Sequence, residues 1–238
     1  FTLEGTRTYV VGRRHPAVVD PGPDLDDHVE AVLSLLDGAE SVTLLLTHGH
    51  GDHAGSVPRV MGGLRARGVA VRAAGSAPGG VEALSDGEGI ETDAGRVVTL
   101  ATPGHTPDHL SFHWVSGAAL FPGDLLLGEG DTTWVAGYPG CVADYLASLA
   151  RLRSLEVSRL FPTHGPPLDD PDEALDRFET HRRRRIQEVR AGLDDDPGAS
   201  AEALVDRIYG AEVPPGLMDA ARDSVLALME YVRDHAAD

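Results

Sequence analysis

Four short apolar runs in this chain end, within five residues, on a histidine or an aspartate. Run 42–46 leads into Thr47-His48-Gly49-His50-Gly51-Asp52-His53, and run 97–100 leads through Thr102-Pro103-Gly104 to His105. Run 118–121 leads through Pro122-Gly123 to Asp124, and run 159–161 leads through Pro162-Thr163 to His164. Apolar runs of this length read as strands, and in layered α/β proteins strand ends gather at one edge, where ligand sites form. Helical stretches alternate with them. Val29, Val32, Leu33 and Leu36 share one face of 25–36, 57–67 reads as a helix, and Leu146, Leu149, Leu152 and Leu155 repeat along 144–155. Further strands are expected at 9–11, 17–19, 69–73 and 111–115. The fold class is therefore α/β. Beyond about residue 170 the character changes to a long arginine-rich helix over 172–193, stopped by Asp194-Asp195-Asp196-Pro197-Gly198, then helices near 200–209 and 215–233. The expected division is a body over 1–170 and a helical section over 171–238.

The cluster after the first run carries chemistry. On a loop, His48 and His50 can turn toward one metal ion while Asp52 and His53 turn toward a second, with Gly49 and Gly51 letting the backbone fold tightly. Imidazole and carboxylate donors packed this densely suit borderline divalent ions, zinc above all. One cluster cannot complete two sites, so His105, Asp124 and His164, each at the end of another strand, are the remaining candidates.

Composition removes other chemistries. The 238 residues carry 20 basic against 38 acidic side chains, a formal charge of −18, and every basic residue is arginine. Without lysine there is no Schiff base and no phosphate loop of the Walker A type. The single cysteine, Cys141, excludes an internal disulfide framework and suits a reducing compartment, so a cytoplasmic location is expected. No charged-then-apolar leader and no run of roughly 20 apolar residues is seen, so no membrane partner is expected. The acidic balance disfavours polyanions in the mean field.

These motifs resemble the metallo-β-lactamase superfamily. Its HxHxDH signature is matched without a gap by His48, His50, Asp52 and His53, and its later motifs by His105 in TPGHT, Asp124 in PGD and His164 in PTHGP. The resemblance covers residues 3 to about 170. It implies a four-layer αββα sandwich with two metals at one edge: His48, His50 and His105 on the first ion, Asp52, His53 and His164 on the second, and Asp124 bridging. It implies a zinc hydrolase, two ions per chain, with Asp52 as the catalytic carboxylate that holds the attacking water and later moves a proton; iron or manganese also suit the donors. Lactam-cleaving members of one subclass use cysteine where Asp124 stands, and Cys141 does not match. Di-iron oxygen-reducing members replace the second histidine by glutamate, whereas His50 is retained. No long insertion separates Asp124 from His164, as the β-CASP nucleases require. β-Lactamase activity is therefore not expected.

Within the superfamily the likeness is to the branch of glyoxalase II and beta-lactamase-like protein 2. It rests on the opening at 1–9, on TPGHTPDHLSF (102–112), GDLLLGEGDTT (123–133) and His181-Arg182 with Arg185, and on a winged-helix-like tail from Ser200. The first member implies a small thioester or ester substrate, and the second a single-strand endoribonuclease. Residues 177–190 hold six arginines against Glu179 and Glu188, the one stretch able to guide RNA, although a charge run on a helix reads first as a solvated face. With no aromatic-basic stacking motif, a small molecule is the expected partner and nucleic acid the second choice. His109 is read as orienting the metal ligands or touching substrate, or equally as a packing residue behind the ligands; Trp134 and Tyr138 are candidate pocket walls, although ordinary loop packing is the first reading for both. His15, His28, His113, His181 and His235 are expected to be surface or structural.

Overall fold

Strand β3 (Ser41–Leu46) reads as an unbroken apolar run because both of its faces are covered. Val42, Leu44 and Leu46 pack against α1 (Asp26–Leu35) and α3 (Val57–Ala66), while Leu45 faces the opposite way into a second sheet. The computed structural model describes residues 5–76, 79–210 and 214–235. The first four residues of the opening motif lie outside the described residues.

The first sheet runs β1 (Tyr9–Val11), β2 (Ala17–Val19), β3, β4 (Ala70–Gly75), antiparallel at β1–β2 and parallel thereafter. The second runs β5 (Gly89–Thr92), β6 (Gly95–Ala101), β7 (Leu110–Trp114), β8 (Ala119–Phe121), β9 (Arg159–Leu160), antiparallel except for β8 with β9. Val11, Val19 and Leu45 of one sheet meet Val97, Phe112 and Phe121 of the other in a dry layer. Alternate residues Leu100, Leu120 and Leu160 point outward onto α4 (Cys141–Arg153) and the C-terminal helices. The result is the helix–sheet–sheet–helix stack. Its topology matters for function: β2, β3, β6, β8 and β9 all end at one edge, and the backbone bond from Leu110 to the Thr47 carbonyl (2.8 Å) joins the two sheets there.

Four local expectations need correction. β5 is absent from the expected strands, since Ile90 alone of its four residues is buried and an edge strand needs no apolar run. α4 begins at Cys141, three residues before the expected start, because Gly140 turns the chain at φ +84. Its buried face is then Cys141, Val142, Tyr145, Ser148, Leu149 and Leu152, with Leu146 only half-buried. The HxHxDH segment is not all loop: His50, extended, precedes a one-turn helix, α2 (Gly51–Ala54). Gly49 and Gly51 are absent from the left-handed region, and a Cβ on Gly51 would meet open space, so the turn does not depend on that glycine.

From residue 171 onward the described residues form helices and no strand. α5 (Pro171–Asp195) starts where the Asp170 carboxylate accepts from the Glu173 amide (3.0 Å), with proline in the first turn. α6 (Ala201–Tyr209) is capped likewise by Ser200, and α7 (Met218–Asp234) follows. Phe178, Val189, Leu204, Val225 and Leu228 share one core with Tyr145 and Leu149 of α4. Among the described residues no helix is long and apolar enough to cross a membrane.

Candidate metal centre

Each strand end delivers one part of a single cluster. His48 follows β3, His53 lies in α2, His105 follows β6, Asp124 follows β8 and His164 follows β9. Three sets of donor atoms lie within 4.8 Å of one another: His48, His50, His105; Asp52, His53, His164; and His48, His53, Asp124. The seven residues singled out in the sequence are thus brought together.

Hydrogen bonds on the far side of each ring fix which nitrogen faces inward. His105 Nδ1 donates to the Trp134 carbonyl (2.9 Å), and His164 Nδ1 to the Gly5 carbonyl (3.0 Å). His53 Nδ1 donates to Asp20 Oδ2 (2.8 Å). His48 Nδ1 donates to Thr47 Oγ1 (3.1 Å), whose own proton goes to Asp20 Oδ2 (2.8 Å). The Nε2 lone pairs therefore converge. His48 Nε2 and His105 Nε2 sit 2.9 and 3.2 Å from His50 Nδ1, which has at most one proton to offer the two of them.

The Asp124 carboxylate spans the cluster. Its Oδ1 is 3.4 Å from both His53 Nε2 and His164 Nε2, and its Oδ2 is 3.7 Å from His105 Nε2. Asp52 Oδ2 adds a second acceptor 3.2 Å from His164 Nε2. Burial would raise the Asp124 pKa, but His53, His105 and His48 together hold it well below the carboxylate range. Burial, reinforced by His53 and His109, keeps His48 neutral, and burial likewise lowers His105. Burial pulls His164 and His53 down too, yet the carboxylates outweigh it: Asp52 raises His164, and Asp20 with Asp124 raises His53 to about 10. The centre calls for positive charge between its carboxylates. His53 Nε2 and Asp124 Oδ1 are buried with no hydrogen-bond partner, 3.4 Å from each other. Such a donor set fits divalent cations.

Asp20 is a functional residue that the sequence reading misses. It is fully buried, in the left-handed region at φ +48, and accepts from the Thr47 amide, Thr47 Oγ1, Thr163 Oγ1 and His53. It follows β2 as the other donors follow their strands, so the same pattern of apolar run and polar end points to it. The Pro21-Gly22-Pro23 that follows makes it look like a simple break.

His109 is buried rather than facing a substrate. Its Nε2 accepts from the Asp124 amide (3.2 Å), its Nδ1 donates to Thr102 Oγ1 (3.1 Å), and burial pushes its pKa down to about 3. A Cβ on Gly123, at φ +55, would come within 2.6 Å of that ring, so this turn requires glycine. Trp134 lies edge-on to His105, centroids 6.0 Å apart, and lines a cavity of about 500 Å³ beside the centre. Tyr138 is not part of that wall, since its hydroxyl donates to Asp144 (2.8 Å). The arginine run is not a solvated face throughout: Arg182 is buried, and His181 and Arg185 line the cavity. His15, His28, His113 and His235 lie outside the cluster; His28 bonds Thr8 and the Pro21 carbonyl.

Residues 2–164 match the model of the Metallo-beta-lactamase superfamily. A Caenorhabditis elegans beta-lactamase-like protein 2 homolog is 31% identical over 98% of this chain and 81% of its own length. An Aspergillus fumigatus atrochrysone carboxyl ACP thioesterase is 33% identical over 79% of this chain, which spans 44% of that protein. Among solved structures, a metallo-beta-lactamase family protein from Thermus thermophilus shares the fold at a TM-score of 0.79 and 22% identity, covering 98% of this chain and 89% of that one. With the family motif intact and its donors gathered at one sheet edge, the chain belongs to the metallo-beta-lactamase superfamily of hydrolases.

Proposed function

We propose that this protein is a dinuclear zinc hydrolase of small thioesters or esters. His48, His50 and His105 would hold one ion, Asp52, His53 and His164 the other, and Asp124 both. When bound, the pair would supply an acidified water and a Lewis acid for the scissile carbonyl. The chain's own residues then have distinct tasks. Asp52, half-exposed beside His164 (Oδ2 to Nε2, 3.2 Å), would orient the attacking water and return its proton to the leaving group. Trp134 lines the adjoining cavity, edge-on to His105, and would form one side of a substrate pocket.

The observation that carries the substrate class is the adjoining cavity. Its walls beyond His105 and Asp124 are largely apolar, including Leu127, Trp134, Leu217 and Ala221, and its volume of about 500 Å³ suits a small acyl group. The likeness to a fungal ACP thioesterase agrees with this reading.

A second reading, single-strand RNA cleavage, is favoured by the whole-chain likeness to beta-lactamase-like protein 2 homologs. The arginines argue against it. Arg182 is buried, Arg177 pairs with Glu173, Arg183 with Glu179 and Arg185 with Glu188, so among the described residues only Arg184 and Arg190 of the six arginines at 177–190 have no carboxylate partner and stay open to a phosphate track. Zinc-loaded protein assayed side by side on a short acyl thioester and a single-stranded RNA separates the two. Thiol release with RNA intact is expected; RNA cut without thiol release would replace the first reading by the second.

A further inference from the structure

A buried guanidinium is unfavourable unless its charge and its N–H groups are answered. Arg182 is 3% exposed on the buried stripe of α5, between Phe178 and Ile186, and among the described residues no carboxylate pairs with it. Burial lowers its pKa accordingly. Its Nη2 donates to the Thr133 carbonyl (2.9 Å), and its guanidinium lies over the Tyr145 ring at 5.2 Å. What it holds is the loop behind the metal centre. Thr133 Oγ1 donates to the Asp124 carbonyl (2.8 Å), and the next residue, Trp134, offers the carbonyl that orients His105. Tyr145 donates to the Leu125 carbonyl (3.1 Å), and His181, beside Arg182, meets Asp131 Oδ2 at 2.9 Å. The loop from Leu125 to Trp134 is thus fastened to α4 and α5, and both a terminal imidazole and the central carboxylate hang from it.

We propose that Arg182, with His181, is a positioning residue for the metal centre: helix α5 sets the direction of the His105 ring and of the Asp124 carboxylate through this loop. The inference rests on the dinuclear reading. Arginine suits the task because one planar group both donates to a carbonyl and stacks on an aromatic ring, which neither lysine nor methionine does. Partners behind metal ligands typically change affinity about 10–100-fold when removed.

The test uses the full chain as wild type, R182M and R182K. Zinc affinity is measured by chelator competition, and ligand geometry by the visible spectrum of the cobalt(II)-substituted protein. R182M is expected to bind at least one zinc about 10-fold more weakly, with shifted cobalt bands, and R182K to recover part of the loss. A folded R182M with wild-type affinity and spectrum would overturn the proposal. Should R182M fail to fold, R182K decides, since it keeps the charge and a donor but loses the planar group that bonds the Thr133 carbonyl while lying over Tyr145. Several-fold weaker binding supports the proposal, and unchanged binding overturns it. A wild-type protein that binds no zinc would instead overturn the dinuclear reading itself.

Discussion

Asp20 presents both carboxylate oxygens to four buried donors: the Thr47 amide and hydroxyl, the Thr163 hydroxyl and His53. A carboxamide at this position would offer an N–H to groups that are themselves donors. Asp20→Asn is therefore expected to lower stability by about 1–3 kcal/mol, read from urea unfolding. Loss of its hold on His53 should weaken zinc binding roughly 10–100-fold, read by chelator competition. Unchanged affinity would mean that the Asp20 bond does not orient the ring. At this scale the sequence is most informative. Donors that must meet a cation are a short menu of residue types, and their spacing displays them. The groups behind the donors are not legible in the same way, because Thr47 and Thr163 are ordinary residues until the fold brings them to one carboxylate.

Among the elements, α5 is readable in extent but not in the meaning of its charges. Asp170-Pro171 marks its start by ordinary capping chemistry, and Asp170→Ala is expected to destabilise the protein by about 1 kcal/mol in urea unfolding at neutral pH. A difference near zero would show that tertiary packing alone fixes this end. Arg182 sits four residues after Phe178 and four before Ile186, so helical spacing alone puts it on the buried stripe. The run of arginines around it suggests solvent instead. β5 is hidden for the opposite reason, having too little apolar surface to show.

The two sheets are also joined at the turns by a single carboxylate. Asp93, between β5 and β6, accepts from the amides of His15, Arg13 and Arg14 in the β1–β2 turn, and these bonds lower its pKa to about 2. The folded-state value lies below the ordinary one near 4, so the contribution is present above about pH 4 and lost as pH falls through about 2. Asp93→Asn should therefore be less stable than the parent at about pH 5, with the gap closing as the pH approaches about 2. Urea midpoints at the two ends of that range measure it, and a gap independent of pH would contradict the assignment.

For the molecule as a whole, the charge of −18 and the eleven histidines are separate facts. The acidity is spread along the chain, whereas five histidines and two aspartates form one centre whose charge a pair of divalent ions would reverse locally. Binding to the folded state alone stabilises it by mass action, about 2.7 kcal/mol at a free metal concentration roughly 100-fold above Kd. Chelation should therefore lower the thermal midpoint, and restored zinc should return it. The four-layer architecture follows from the motif resemblance more than from periodicity. Its physical logic, five strand ends at one edge, becomes visible only with the topology.

The most direct test titrates zinc into chelated protein while thiol release from a short acyl thioester is followed. The dinuclear account predicts no turnover without metal and a rise that saturates at two equivalents per chain. Turnover that persists in the chelated protein, or a thioester left intact at full metal loading, would contradict it.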